Sequence, residues 1–203
     1  MFTDAPKLLG IPQAKAEREA QLWKPHIAPL TEYVHQLRAE AGPGVEIPYF
    51  DPMDGGVDAQ VLFLLEAPGA KAIGSGFVSR NNPDETARNM FEISRDAGLS
   101  RHATVLWNVV PWYIGTGRRI RAASPADLVA GLKPLPRLLD LLPKLNTVVL
   151  VGRKAESARP QLPAGRYRVF VSPHTSPLFV NNAPGNRDRI LSVFQQVRDA
   201  IVQ

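Results

Sequence analysis

The sequence predicts an α/β protein, a three-layer α/β/α sandwich with a central four-stranded parallel sheet. Two observations carry this. Four short runs are almost continuously apolar: "AQVLFLL" at 59–65, "ATVLWNVV" at 103–110, "NTVVLVG" at 146–152 and "YRVFVS" at 167–172. Strands that hide both faces read this way, and they are the habit of parallel sheets. Segments of helical character also lie between and after these runs, as crossovers between parallel strands require.

Each element has its own reason. Residues 13–41 are rich in helix formers, with Leu22, Ile27, Leu30, Val34 and Leu37 as the apolar set; Pro25 and Pro29 divide this stretch into pieces. "GPG" at 42–44 ends it, and "EIPYFDPMDGG" at 46–56 reads as a loop. "PDETARNMFEISRDAGL" at 83–99 reads as a helix, with Pro83 and acidic residues at its start and Gly98 near its end. Ser124-Pro125 opens a proline-interrupted helical segment at 124–145. A short helix is expected near 152–158, and a closing helix at 187–202, where Ile190, Val193, Phe194, Val197 and Ile201 share one face. Two parts are therefore expected: an N-terminal helical segment at 1–56, packed on or extending the domain, and the α/β/α domain at 57–203.

Composition sets limits on function. The 203 residues suit one sizeable core, with 44% hydrophobic and 21% charged residues. No apolar run is long enough to span a bilayer, and no basic-then-apolar leader opens the sequence, so a cytoplasmic location without membrane contact is expected. The absence of cysteine excludes disulfides, thiolate zinc sites and cysteine-ligated iron–sulfur clusters. A net charge of +5 favours polyanionic partners. His26, His35 and His102 show no metal-ligand spacing and read as structural or exposed. "GTGRRI" at 115–120 lacks the last glycine of a dinucleotide loop. The basic run at 117–121 suits either phosphate contact or a solvated loop.

In open parallel sheets, ligands bind beyond the carboxyl ends of the strands. Four features follow the four strands: Glu66-Ala67-Pro68-Gly69, then Asn108, then Gly152-Arg153-Lys154, then "SPHTSPL" with His174. Singly, each has an ordinary role open to it: a solvated acid, a strand-end amide, surface cations, a structural imidazole. All four fall on one rim, which joins a carboxylate, an amide, a basic pair and a histidine.

These motifs resemble those of the uracil-DNA glycosylase superfamily. "LEAPG" at 65–69 is similar to its first motif, especially the G-E-A-P-G form of the iron–sulfur branch, and "HTSPL" at 174–178 to its second, commonly H-P-S-P-L. "SGFVS" at 75–79 resembles the segment bearing the aromatic that stacks on uracil, and "WNVVP" at 107–111 the strand end bearing the base-reading asparagine. The order fits from about residue 57 onward. The chain departs from the pattern at Leu65, which replaces a glycine, at Thr175, which replaces a proline, and at Gly69, where the best-known branch has a thymine-excluding tyrosine.

The resemblance implies a monofunctional DNA repair enzyme that flips uracil from DNA and hydrolyses its N-glycosidic bond, leaving an abasic site. Uracil-containing DNA is the expected partner and free uracil the product, with no cofactor, no metal and a monomeric chain. Glu66 and His174 are the implied catalytic residues: a carboxylate for the sugar cation and water, and a donor for the charge on uracil O2. Phe77 is the implied stacking ring and Asn108 the reader of O4 and N3–H. Ala67 and Gly69 allow close backbone approach. Ser176, Arg153 and Lys154 are expected at phosphates and Leu178 in the vacated stack. Two alternatives remain: the same fold acting on another deaminated or mismatched base, and a lesion- or abasic-site-binding protein with little turnover. A nucleoside hydrolase using the same rim is a third.

Overall fold

The computed structural model describes residues 2–116 and 121–202. The N-terminal segment forms α1 (Pro12–Glu19) and α2 (Ala28–Ala41). Proline explains the division between them. Pro12 and Pro29 sit in the first turns, where a missing N–H costs nothing, while Pro25 falls in the intervening turns. The stretch expected as pure loop contains β1 (Tyr49–Phe50). A strand of two residues carries no periodicity, so nothing in the sequence marks it.

The remaining elements follow as β2 (Val61–Leu65), α3 (Ala70–Ser75), β3 (Phe77–Val78), α4 (Glu85–Asp96) and β4 (Thr104–Asn108). Next come α5 (Pro125–Leu132), α6 (Leu135–Asp140), β5 (Thr147–Val151), β6 (Arg168–Ser172), α7 (Pro177–Val180) and α8 (Asn186–Val202). The segment expected to be helical near 152–158 is a 3-10 helix at Ala155–Gln161 that contains Pro160. The main sheet is parallel throughout, in the order β4-β2-β5-β6, and β1 pairs in parallel with β3 in a small second sheet. The predicted four-stranded α/β/α architecture is the architecture observed.

Register decides what each face buries. Phe63 lies opposite Leu106 and Val149, and its ring meets Phe194 of α8 at 5.0 Å. On the other face, Trp107 stacks on Phe50 at 3.9 Å and meets Tyr33 of α2 edge-on at 6.1 Å. Helix α2 thus shares one continuous apolar core with the sheet. Among the described residues, no helix is long and apolar enough to cross a membrane.

A buried charge cluster ties the N-terminal segment to β3 and β4. Asp51 pairs with Arg18 and with Arg101 at 2.6 Å, and accepts from Ser79 Oγ and, at 2.9 Å, from Met53 N–H. Burial pushes its carboxyl upward, but the two guanidinium groups and these donors outweigh that and hold it down at about 2. Asp54 accepts from Arg101 at 2.8 Å and lies 3.6 Å from Arg80. Burial dominates there and pushes its carboxyl above the usual range. Asp4 closes the cluster from the N-terminus through Arg101 at 2.8 Å.

Candidate active site

The carboxyl ends of all four central strands meet at one rim. β2 leads out to β4 on one side and β5 to β6 on the other, so the crevice between β2 and β5 is a topological switch point. Leu65 is in register with Asn108, and the ladder continues beyond both: Val109 N–H donates to Leu65 C=O at 2.8 Å and Val110 N–H to Glu66 C=O at 2.9 Å. Backbone pairing therefore fixes the bases of the Glu66 and Asn108 side chains. A cavity of about 700 Å³ opens here, and Glu66, Ala67, Gly69, Asn108, His174, Ser176 and Leu178 all line it.

The His174 loop is held from three directions. Asn89 of α4 donates to Thr175 C=O at 2.8 Å, and Asn186 of α8 donates to Phe179 C=O at 2.8 Å. Pro177 opens the single-turn helix α7. Within the loop, Ser176 N–H donates to His174 Nδ1 at 3.1 Å. An Nδ1 that accepts cannot carry a proton, so the neutral ring holds its proton on Nε2. Burial pushes the His174 pKa down, against a smaller opposing pull from the Glu66 carboxylate. The site thus holds a neutral imidazole whose Nε2–H has no hydrogen-bond partner among the described residues.

Glu66 accepts from Ala123 N–H at 2.6 Å, which pins one carboxylate oxygen to the strap before α5. Asn108 is 4% exposed, and its Nδ2 has no hydrogen-bond partner among the described residues. Thr175 Oγ1 is likewise buried and unpartnered there. Buried polar groups are nearly always paired. Both unpaired groups belong to residues of one cavity wall.

The structure brings together Glu66, Ala67, Gly69, Asn108, His174, Ser176 and Leu178, but not every predicted residue. Phe77 is wholly buried and away from the cavity, with its ring 6.5 Å from that of Tyr49. Neighbouring strand residues face opposite ways, so Val78 lines the cavity and Phe77 points behind it. Lys154 donates to Ala123 C=O at 2.7 Å, and Arg153 is exposed; neither lines the cavity. Residues 117–120 of the basic run lie outside the described residues, while Arg121 lines the cavity and pairs with Asp127. His26 meets Pro52 C=O at 2.9 Å and His35 meets Tyr49 OH at 3.2 Å. Among the described residues, no group of three His, Asp or Glu side chains is arranged to hold a metal ion.

Sequence reasoning missed three contributors. Arg80 lines the cavity from the buried charge cluster, and the polar run "SRNN" directly after an apolar pair was its only signal. Thr175 stood out only as a departure from a motif. Ala123 acts through its backbone, which leaves no mark in a side-chain pattern.

Comparisons with known proteins bear on the family of the chain. A sequence model of the Uracil DNA glycosylase superfamily matches residues 52–198. No curated protein matches the chain. Among solved structures, a candidate uracil DNA glycosylase from Methanosarcina acetivorans, solved by NMR, shares 18% identity, with 69% of this chain and 91% of that chain covered and a TM-score of 0.45. A point variant of mimivirus UNG in complex with UGI shares 13% identity, with 88% and 73% covered and a TM-score of 0.42. The match over residues 52–198 spans most of the chain and takes in both motif loops and all four strands of the main sheet; this chain belongs to the uracil DNA glycosylase superfamily.

Proposed function

We propose that this chain is a monofunctional uracil-DNA glycosylase of base-excision repair. The observation that carries the reading is the meeting of Glu66, an unpartnered Asn108 amide and a neutral His174 in one cavity at the switch point. A target base must leave the duplex to reach such a cavity. Asn108 Nδ2 donates to uracil O4 while its Oδ1 accepts N3–H; cytosine reverses that polarity and leaves both groups unpaired.

As the glycosidic bond breaks, its electron pair moves into the ring and negative charge builds on O2. The His174 Nε2–H donor meets that charge, a contribution of about 10²- to 10³-fold in rate. The sugar left behind is cationic. The Glu66 carboxylate stabilises it and orients the water that adds to C1′, and the proton from that water leaves with the uracil anion or solvent. Ser176, at the cavity mouth, and exposed Arg153 suit flanking phosphates.

A second reading, the same hydrolysis on another deaminated base, draws on Thr175. Its buried, unpartnered hydroxyl adds polar capacity where the common motif has proline. One experiment separates these. Labelled oligonucleotides with one central uracil, hypoxanthine, xanthine or mismatched thymine are incubated with the protein and EDTA, then treated with alkali. Strand scission at uracil that needs both protein and alkali supports the first reading, and scission only at another base supports the second. Intact strands at protein excess, with lesion affinity retained, leave a binding protein.

A further inference from the structure

Ala123 has both backbone polar groups engaged by side chains from the two sides of the switch point. Its N–H donates to Glu66 Oε1 at 2.6 Å, and its C=O accepts from Lys154 Nζ at 2.7 Å. Glu66 follows β2 and Lys154 follows β5, so the strap that carries Ala123 bridges the crevice between them. Ala123 is 1% exposed and packs with Val110 and Ile114. Directly after it, Ser124 and Asp127 form a capping box at the start of α5, and Asp127 also pairs with Arg121.

We infer that Lys154 is a positioning residue for the Glu66 carboxylate, acting through Ala123, and not a phosphate ligand. This rests on the reading of Glu66 given above. A long ammonium side chain that reaches a buried carbonyl is not extended toward DNA. Its hydrogen bond draws the strap inward, and the Ala123 N–H fixes which carboxylate oxygen stays free for the sugar and water. Without it, the anchors of the strap among the described residues are the Glu66 hydrogen bond, the Arg121–Asp127 pair, the apolar contacts of Ala123 and the cap of α5. The donor that orients Glu66 is then free to shift while the Glu66 backbone remains clamped by the β2–β4 ladder.

The test compares Lys154→Met and Lys154→Arg by single-turnover cleavage, DNA affinity and amide hydrogen exchange at Ala123. Lys154→Met is expected to slow the bound complex by about 10²-fold, the scale of a small misplacement of a catalytic group, while DNA affinity changes by less than about twofold. Lys154→Arg, which keeps a donor on a long stem, restores most of the rate. In a Glu66→Gln background, Lys154→Met adds little, because the group it positions is already disabled. Exchange at Ala123 accelerates in Lys154→Met and in Glu66→Ala, but not in Lys154→Arg.

Weakened DNA binding with a shallower salt dependence and an unchanged bound rate would make Lys154 a phosphate ligand and overturn the inference. So would unchanged exchange at Ala123. If the wild-type protein cleaves none of the four lesion strands, the glycosylase reading fails, and exchange at Ala123 still decides whether Lys154 and Glu66 hold the strap.

Discussion

The His174 ring lies against Gly152. A Cβ placed on Gly152 would sit 3.1 Å from His174 Cδ2 and 3.3 Å from His174 Cβ. Gly152 also has φ of +83°, in the left-handed region that other residues avoid. Two strands are coupled here, because the turn after β5 supplies the floor on which the loop after β6 rests. The glycine is there for its missing side chain as much as for its backbone freedom.

Gly152→Ala is therefore expected to act on both counts. The backbone term costs about 1–2 kcal/mol of stability. The contact term shifts the imidazole by a few tenths of an ångström and lowers the cleavage rate by about tenfold with little change in DNA affinity. Urea denaturation and single-turnover cleavage measure the two separately. A loss of stability with an unchanged rate would show that the loop after β6 sets the ring position alone.

The pH dependence follows from the same ring. Burial moves the His174 pKa below its ordinary 6.5, and the neutral ring is the one with Nδ1 free to accept from Ser176. The cleavage rate should therefore be flat above pH 6.5 and fall as pH drops through the lowered pKa. Stability follows the same sign. In the unfolded chain the histidine takes up its proton first, so acidification below 6.5 favours unfolding until the folded ring protonates too. Nitrogen NMR of the imidazole should show the Nε2–H tautomer at pH 7. A rate that rises on acidification would mean that the imidazolium is the active form.

Asn108→Asp tests the base-reading assignment. The amide Nδ2 is buried and unpartnered among the described residues, and the change replaces that donor with an acceptor. Uracil cleavage should fall by about 10²-fold, the scale of a lost transition-state donor, and the preference for uracil over cytosine should narrow. The readout is the ratio of cleavage rates on matched uracil and cytosine strands. Unchanged rate and ratio would take Asn108 out of base recognition.

The buried charge cluster supplies a stability prediction. Asp51 is held at about 2 against an ordinary 3.8, so its contribution is complete above 3.8 and is lost as pH falls through about 2. Asp51→Asn leaves Arg18 buried with no carboxylate partner among the described residues, while Arg101 keeps Asp4 and Asp54, and this should cost about 3–5 kcal/mol in urea denaturation. Ser79 and Arg80 join this cluster and line the cavity, so the same variant should also reduce cleavage. A cost near zero would mean that water enters and relieves Arg18.

The main sheet was legible in the sequence because β2, β4 and β5 are buried on both faces and the partly exposed edge strand β6 is still an apolar run, and the rim followed from the sheet. Glu66, Asn108 and His174 could be placed together for that reason alone. Short-range geometry was not legible. The β1–β3 pair is two residues long, and its alternation turns Val78 toward the cavity and Phe77 behind it. Lys154 looked like a surface cation beside Arg153, because its partner is a backbone carbonyl 31 positions away. Contacts to backbone atoms depend on where loops cross, and residue type does not encode that.

Leu178 offers the clearest separation of stability from function. It is 85% exposed on α7, at the mouth of the cavity, beside Ser176. An exposed leucine contributes little to folding, so Leu178→Ala should change stability by less than about 0.5 kcal/mol. On DNA its apolar end suits the gap left by an extruded base, where it would delay the base's return. That work is needed only when there is a stack to leave. The variant should therefore slow cleavage of uracil in duplex DNA by about tenfold and leave single-stranded cleavage nearly unchanged, with the duplex penalty smallest at a mismatch, where unstacking is cheapest. Equal loss on both substrates would make Leu178 an ordinary wall of the cavity. Loss on neither would place the DNA stack against a different loop.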